Sequence, residues 1–255
     1  MNKNASIVDV GAGNMSEHPE AICFINQKNP CHGIKTGWLG KRFKEGLKIK
    51  LLYLGGDKKP AGLIEYVPGE YAWRAVSAKD YMFIHCIWVY PNKNKDMGLG
   101  SMLIEECVKD AKKQGFLGVA VIASEGPFMA KKEIFQKNGF SIVESCGKYS
   151  LLTKSFKKGS LPKFRDWEKQ LAGYKGLNIV YSNQCPWVAR FVTEVSESVR
   201  EKGLRIKFNE LKTAKDAQDA PSIYAVFSLI KDGKLLADHY ISETRFRNIL
   251  KKEIA

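Results

Sequence analysis

Between Ile84 and Gly115 the pattern of apolar residues changes twice, and no other stretch constrains the chain as tightly. "IHCIWVYP" is a continuous apolar and aromatic run that suits a buried strand. "NKNKDMGLGS" then brings Gly98, Gly100 and Ser101 together. "MLIEECVKDAKKQG" follows, with Met102, Leu103, Cys107, Val108 and Ala111 on one helical face. A strand, a glycine-rich turn and a helix N-terminus in that order aim several unpaired backbone N–H groups one way, and the helix dipole adds partial positive charge. Such a junction can cradle a phosphate or pyrophosphate. Glycine lets the backbone approach because no Cβ intervenes. The turn is not a P-loop, since no Gly-Lys-Ser/Thr ends it, and Met102 and Leu103 after Gly100-Ser101 depart from the dinucleotide GxGxxG. An ordinary loop also fits the spacing taken alone.

The neighbouring segments give the order of elements. Residues 16–46 are predicted helical, with Ser16 as an N-cap at "SEHPEAICFI" and Gly46 as a stop after Trp38, Leu39 and Phe43. "LKIKLLYLGG" and "PAGLIEYVPG" are predicted strands, and "EYAWRAVSA" extends the second. After the glycine turn and its helix come a buried strand, "GVAVIAS", a short helix, "KKEIFQKNGF", stopped by Gly139, and a final pair of strands in "SIVESCGKYSLLTKSF".

The formal net charge is +14, with +7 in residues 1–155 and +7 in residues 156–255. Nucleic-acid binders concentrate basic charge among aromatics. An even spread argues against that class and for a solvated lysine-rich surface, whose field still attracts an anionic cofactor. The six cysteines, at 23, 31, 86, 107, 146 and 185, show no CxxC pairing for zinc, so no metal is expected, and they suit reduced thiols. No apolar run reaches the ~20 residues of a membrane span, so no membrane partner is expected. The N-terminus lacks a charged head followed by an apolar stretch, which leads to the expectation of a cytoplasmic protein without a signal peptide.

The order strand, strand, strand, GxG, helix, strand, helix, "NGF", strands resembles the GCN5-related N-acetyltransferase (GNAT) superfamily over roughly residues 5–156. That family's pyrophosphate motif, Gln/Arg-x-x-Gly-x-Gly/Ala, corresponds to Lys95-Asp96-Met97-Gly98-Leu99-Gly100. "VYP", Val89 to Pro91, stands where the family ends its fourth strand, and "IFQKNGF", Ile134 to Phe140, resembles its Leu-Tyr-x-x-x-Gly-Phe. The resemblance implies an α/β fold with a mixed central sheet and flanking helices, and acetyl-CoA as cosubstrate. The backbones of Ile87, Trp88 and Val89 would meet the pantetheine arm, and the turn Lys95, Asp96, Met97, Gly98, Leu99, Gly100, Ser101 the pyrophosphate. Three positions depart from the pattern. Lys95 replaces Gln or Arg. Phe135 stands where a Tyr protonates the leaving thiolate, and Phe128 where an Asn is usual.

For the base that deprotonates an amine, His85 is the first candidate. Two-residue spacing puts it on the face of Ile87 and Val89, and an imidazole suits proton transfer near neutrality. A buried histidine satisfied by a neighbour is the competing reading. Glu65 and Glu125 are the runner-up bases, with Glu70 behind them, each also readable as a solvated or capping carboxylate. Tyr66, Tyr71 and Trp73 could line an acceptor pocket or fill the core.

Near residue 156 the composition shifts. Residues 1–156 are read as the acetyltransferase domain, 157–176 as a linker and 177–255 as a second, smaller α/β domain. "SNQCPWVAR" puts Cys185 before Pro186 at a strand-to-helix junction, where a helix N-terminus favours thiolate. It resembles the Cys-Pro-Tyr-Cys turn of glutaredoxins in a thioredoxin-like order, with Pro221 before a later strand where that fold carries a cis-Pro, but Val188 replaces the second cysteine. The two-part arrangement resembles acetyltransferases with a YoaP-like C-terminal domain. The expected activity is acetyl transfer from acetyl-CoA to a primary amine of a small molecule or peptide by direct attack in a ternary complex. The alternative is an acyl-CoA-binding protein with monothiol chemistry at Cys185.

Overall fold

The computed structural model describes residues 5–94, 96–201 and 205–254. In chain order these form β1 (Ala5–Val10), α1 (Pro30–Arg42), β2 (Lys48–Leu54), β3 (Gly62–Pro68), β4 (Val76–Ser77), β5 (Tyr81–Val89), α2 (Leu99–Lys113), β6 (Gly118–Ser124), α3 (Lys132–Lys137), β7 (Ser141–Cys146) and β8 (Tyr149–Ser155). Then follow β9 (Lys163–Phe164), α4 (Trp167–Ala172), β10 (Leu177–Tyr181), α5 (Pro186–Glu201), β11 (Ile206–Glu210), α6 (Ala214–Gln218), β12 (Phe227–Lys231), β13 (Lys234–Ala237) and α7 (Glu243–Ile254). The chain divides into two compact units.

The first unit comprises Met1–Ile25, Leu39–Ala72 and Ser77–Phe164. Its seven-stranded sheet has the order β1-β2-β3-β5-β6-β8-β7. β5 and β6 pair in parallel while the other neighbours are antiparallel, so the sheet is mixed. The parallel step requires a crossover, and α2 supplies it. α2 buries Leu99, Leu103, Ile104, Cys107, Val108 and Ala111, spaced as one helical stripe. That stripe packs on Leu52, Ile64, Tyr66, Met82, Ile84, Val119, Val121 and Leu152. Lys112 and Lys113 end the helix where its dipole favours cations.

Beneath the stripe lies a charged cluster. Asp110 Oδ2 accepts from the Tyr66 hydroxyl at 2.5 Å and from Lys48 Nζ at 2.9 Å. Lys50, whose side chain is 6 % exposed, lies 3.0 Å from Asp9, 3.3 Å from Glu106 and 3.4 Å from Asp110. Burial opposes charge on Asp110, but the Tyr66 hydrogen bond and the two lysines outweigh it and hold its pKa below the usual value. Burial above all, with Cys107 and Asp110, pushes the Tyr66 phenol up.

The second unit comprises Asn26–Trp38, Trp73–Val76 and Arg165–Ala255. Its sheet runs β11-β10-β12-β13, with β10 parallel to β11 and antiparallel to β12. The β12–β13 hairpin turns at Asp232-Gly233, both at positive φ (47° and 76°), the conformation a two-residue turn of this hand requires. α5 buries Val188, Phe191, Val192, Val195 and Val199. Phe191 meets Phe227 and Phe246 edge-on at 5.4 and 5.8 Å. Within this unit Arg74 Nη1 donates to Gln184 Oε1 at 2.5 Å and its guanidinium stacks 4.8 Å over Tyr224. Lys35, fully buried, lies over Trp38, which meets Trp73 edge-on.

Two predicted elements differ. Residues 16–25 are not α-helical. They form 3₁₀ turns at Met15–Glu17 and Pro19–Ala21, and Ser16 caps no helix. Pro19 lacks the N–H a continuing helix needs, and Cys23 and Phe24 at φ 50° and 56° break the run. "EYAWRAVSA" is a 3₁₀ turn at Gly69–Tyr71 and the two residues of β4, not an extended strand.

Candidate active site

β5 is where the first sheet changes. Its register with β3 pairs Cys86 with Glu65 and then Ile84 with Tyr66, leaving His85 as the extra residue of a β-bulge. The bulge inverts the phase of the strand. Ile84 before it and Ile87 and Val89 after it all pack with the α2-side core. His85 does not share the face of Ile87 and Val89, as simple alternation suggested. It turns to the opposite face, where Phe83 meets its ring edge-on at 5.9 Å and Glu65 approaches from β3. Glu65 Oε1 lies 3.3 Å from His85 Nδ1, with side chains 3 % and 0 % exposed.

At the same point β5 parts from β6. Pairing runs from Tyr81/Gly118 to Ile84/Val121, and no later β5–β6 pair occurs among the described residues. β5 nonetheless continues to Val89 and β6 to Ser124. The strands therefore splay into a cleft along Cys86–Val89, all half-buried. Backbone groups of β5 on that side are open to a ligand that can pair like a strand. Trp88, on the His85 face, packs on Phe24 at 5.1 Å and Tyr90 at 5.8 Å.

The cleft leads to the N-terminus of α2. Gly98 is the N-cap at φ 77°, a left-handed conformation that glycine adopts without penalty. No side chain caps the first turn and no acidic residue occupies it, so the N–H groups of Leu99, Gly100 and Ser101 can meet an outside acceptor. A Cβ on Gly98 would meet nothing within 4 Å, whereas one on Gly100 would stand 2.6 Å from Ile134 Cδ1. Gly100 thus serves close packing against α3. Asp96 is also left-handed at φ 64° and Met97 is exposed, while Lys95 lies outside the described residues. Ser101 Oγ accepts from Asn138 Nδ2 at 2.9 Å, tying the turn to the end of α3.

The remaining candidates separate. Glu125 is exposed beyond the end of β6, 3.7 Å from Lys131, and Glu70 is exposed. Tyr66 belongs to the α2-side core, away from the face of His85, and Trp73 is buried within the second unit. Phe135 is fully buried against Phe140 and offers no proton, and Phe128 is exposed at φ 65°. On the His85 face, a cleft of about 540 Å³ at the β1–β2 end is lined among others by Glu17, His18, Glu20, Tyr53 and Asp57.

Residues 23–140 match the acetyltransferase (GNAT) family. The chain carries a GNAT acetyltransferase domain. Residues 206–248 match the YoaP-like family, so the GNAT domain is followed by a YoaP-like one. Over 241 residues the chain is 28 % identical to "Uncharacterized N-acetyltransferase YoaP" of Bacillus subtilis (strain 168), covering 92 % of this chain and 94 % of that one. Both findings place the protein among acyltransferases. Solved structures similar to the GNAT domain include an acetyltransferase from Thermus thermophilus (16 % identity, 61 % of this chain and 99 % of that chain, TM-score 0.43). Another is a GNAT family acetyltransferase from Elizabethkingia anophelis with acetyl-CoA bound (15 % identity, 60 % and 99 %, TM-score 0.42).

In the second unit, ahead of the YoaP-like match, Cys185 is half-buried just before α5, and its carbonyl accepts from Ala189 N. Val188, in place of a second cysteine, is buried in the unit's core. Pro221 does not follow a cis bond; the cis peptide among the described residues is Tyr90–Pro91. No cluster of three or more His, Cys, Asp or Glu side chains that could hold a metal occurs among the described residues, and no described helix is long and apolar enough to cross a membrane. Sequence reasoning missed the bulge, the contact of Glu65 with His85, and the Asn138–Ser101 tie. "FQKNG" carries the one available signal for the last, an asparagine beside the helix-stopping Gly139.

Proposed function

We propose that the GNAT domain transfers an acetyl group from acetyl-CoA to a primary amine of a small molecule or peptide, by direct attack in a ternary complex. The splay of β5 from β6 beyond Ile84 and Val121, opening onto an uncapped helix N-terminus, carries this reading. Pantetheine amides can pair with the open backbone of Ile87, Trp88 and Val89 as an added strand. The pyrophosphate then meets the turn from Lys95 through Asp96, Met97, Gly98, Leu99 and Gly100 to Ser101, at the positive end of α2.

The amine nitrogen attacks the thioester carbonyl carbon; the C–N bond forms, the C–S bond breaks, and the sulfur leaves as thiolate. A backbone N–H of β5 beside the bulge polarises the carbonyl. His85 accepts the proton the amine loses. A thiol of ordinary pKa, about 8.5, leaves as thiolate without a positioned acid, which fits Phe135 in the place of a tyrosine. The carboxylates of Glu17, Glu20 and Asp57 on the same sheet face suit an ammonium arriving before it is deprotonated.

In sequence the proposal divides the chain into an acetyltransferase domain, 1–156, a linker, 157–176, and a thioredoxin-like domain, 177–255. In space the second compact unit also takes in Asn26–Trp38 and Trp73–Val76. The test is incubation of the full chain with acetyl-CoA and a panel of primary amines, followed by mass spectrometry. Acetylated amine with stoichiometric free CoA is expected. CoA bound but no amine acetylated across small-molecule and peptide acceptors would reduce the domain to a binding module.

A further inference from the structure

Glu65 and His85 compete as bases when only the sequence is read, yet they are neighbours. They sit on adjacent strands, on one face, both buried, with Oε1 of the carboxylate 3.3 Å from Nδ1 of the imidazole. The pairing sits at the bulge: Glu65 is registered with Cys86, and His85 is the extra residue between that pair and Tyr66–Ile84. The edge of Phe83 limits where the ring can turn.

We infer that Glu65 is a positioning residue: it holds His85 in the tautomer protonated at Nδ1, so that Nε2 carries the lone pair. The inference rests on the assignment of His85 as the base. In the step, the attacking amine gives its proton to Nε2 as the C–N bond forms. The imidazolium keeps both N–H groups, and the Glu65 carboxylate stabilises its positive charge without taking a proton itself. A carboxylate at one ring nitrogen fixes the tautomer and raises the basicity of the other. Separations of this kind are longer in a ligand-free site than in the reacting complex.

The four histidines, at 18, 32, 85 and 239, make the test direct. With ¹⁵N-histidine labelling of the full chain, His85→Gln identifies the resonances of His85. The expected wild-type state near neutral pH is Nδ1 protonated and Nε2 bare. Glu65→Gln should shift the population toward the Nε2–H tautomer. It should also lower kcat by about 10–100-fold with KM for acetyl-CoA unchanged. Added to His85→Gln, the same substitution should cost nothing further. An unchanged tautomer with unchanged kcat in folded Glu65→Gln would overturn the inference. So would a full loss in Glu65→Gln alongside an active His85→Gln protein, which would make Glu65 the base. The tautomer is read without turnover. A protein with the expected ring signals but no acetyl transfer would keep the pairing and discard the assigned reaction.

Discussion

His85, the proposed base, sits at a backbone irregularity that no residue type announces. "YMFIHCIWV" is apolar or aromatic at every position but one, so it lacks the polar alternation that would mark the phase of the strand or a break in it. Two-residue spacing therefore put His85 on the wrong face, and the bulge corrected it. The Gly turn was readable because glycine, unlike an apolar residue, reports a backbone demand. Even so, the two glycines differ: Gly98 answers to its left-handed φ and Gly100 to Ile134. His85→Gln, which keeps most of the buried volume, should lower acetyl-transfer kcat by ~10²–10⁴-fold and leave acetyl-CoA affinity intact. A variant with near-wild-type turnover would return His85 to a structural role.

At the scale of elements, α2 followed directly from its apolar stripe, and β7 and β8 are the pair of strands expected in "SIVESCGKYSLLTKSF", with Gly147 at positive φ in the turn between them. The stretch 16–25 did not, because helical spacing of apolar residues says nothing about a missing N–H at Pro19 or the left-handed Cys23 and Phe24. The charge cluster under α2 was also hidden, since Lys48, Lys50, Glu106 and Asp110 read as ordinary solvated charges along the chain. Its effect on stability has a definite sign. A carboxyl whose folded pKa is depressed contributes stability above its unfolded value, about 3.9 for Asp, and loses it as pH falls through the lower folded value. Asp110 and Glu106 are both depressed, so acid should weaken the first unit. Asp110→Asn should cost about 1–3 kcal/mol at neutral pH, because the Tyr66 hydroxyl and two ammonium groups lose a charged partner. The gap to wild type should narrow below pH ~4. Denaturant melts at both pH values measure it; equal stability at neutral pH would show the cluster to be energetically idle.

For the whole molecule, the sequence announced two families but not a second unit that gathers Asn26–Trp38 and Trp73–Val76 from within the acetyltransferase match. Long-range pairings such as Arg74 with Gln184 leave no local pattern. If the two domains have separate roles, Cys185→Ser should leave acetyl transfer intact. Under limiting alkylation Cys185, half-buried at the start of α5, should label ahead of Cys31 and Cys107, whose thiols burial pushes up. Loss of transfer in a folded Cys185→Ser protein would mean that both domains serve one site. The claim on which the rest depends is that the β5 cleft and the α2 N-terminus bind acetyl-CoA. Calorimetric titration of the full chain, beside Gly98→Glu, addresses it directly, since position 98 has room for a side chain and a carboxylate there opposes a phosphate. Saturable one-to-one binding is expected, weakened about tenfold or more in the variant. No binding to the wild type, or unchanged affinity in a folded Gly98→Glu protein, would contradict it.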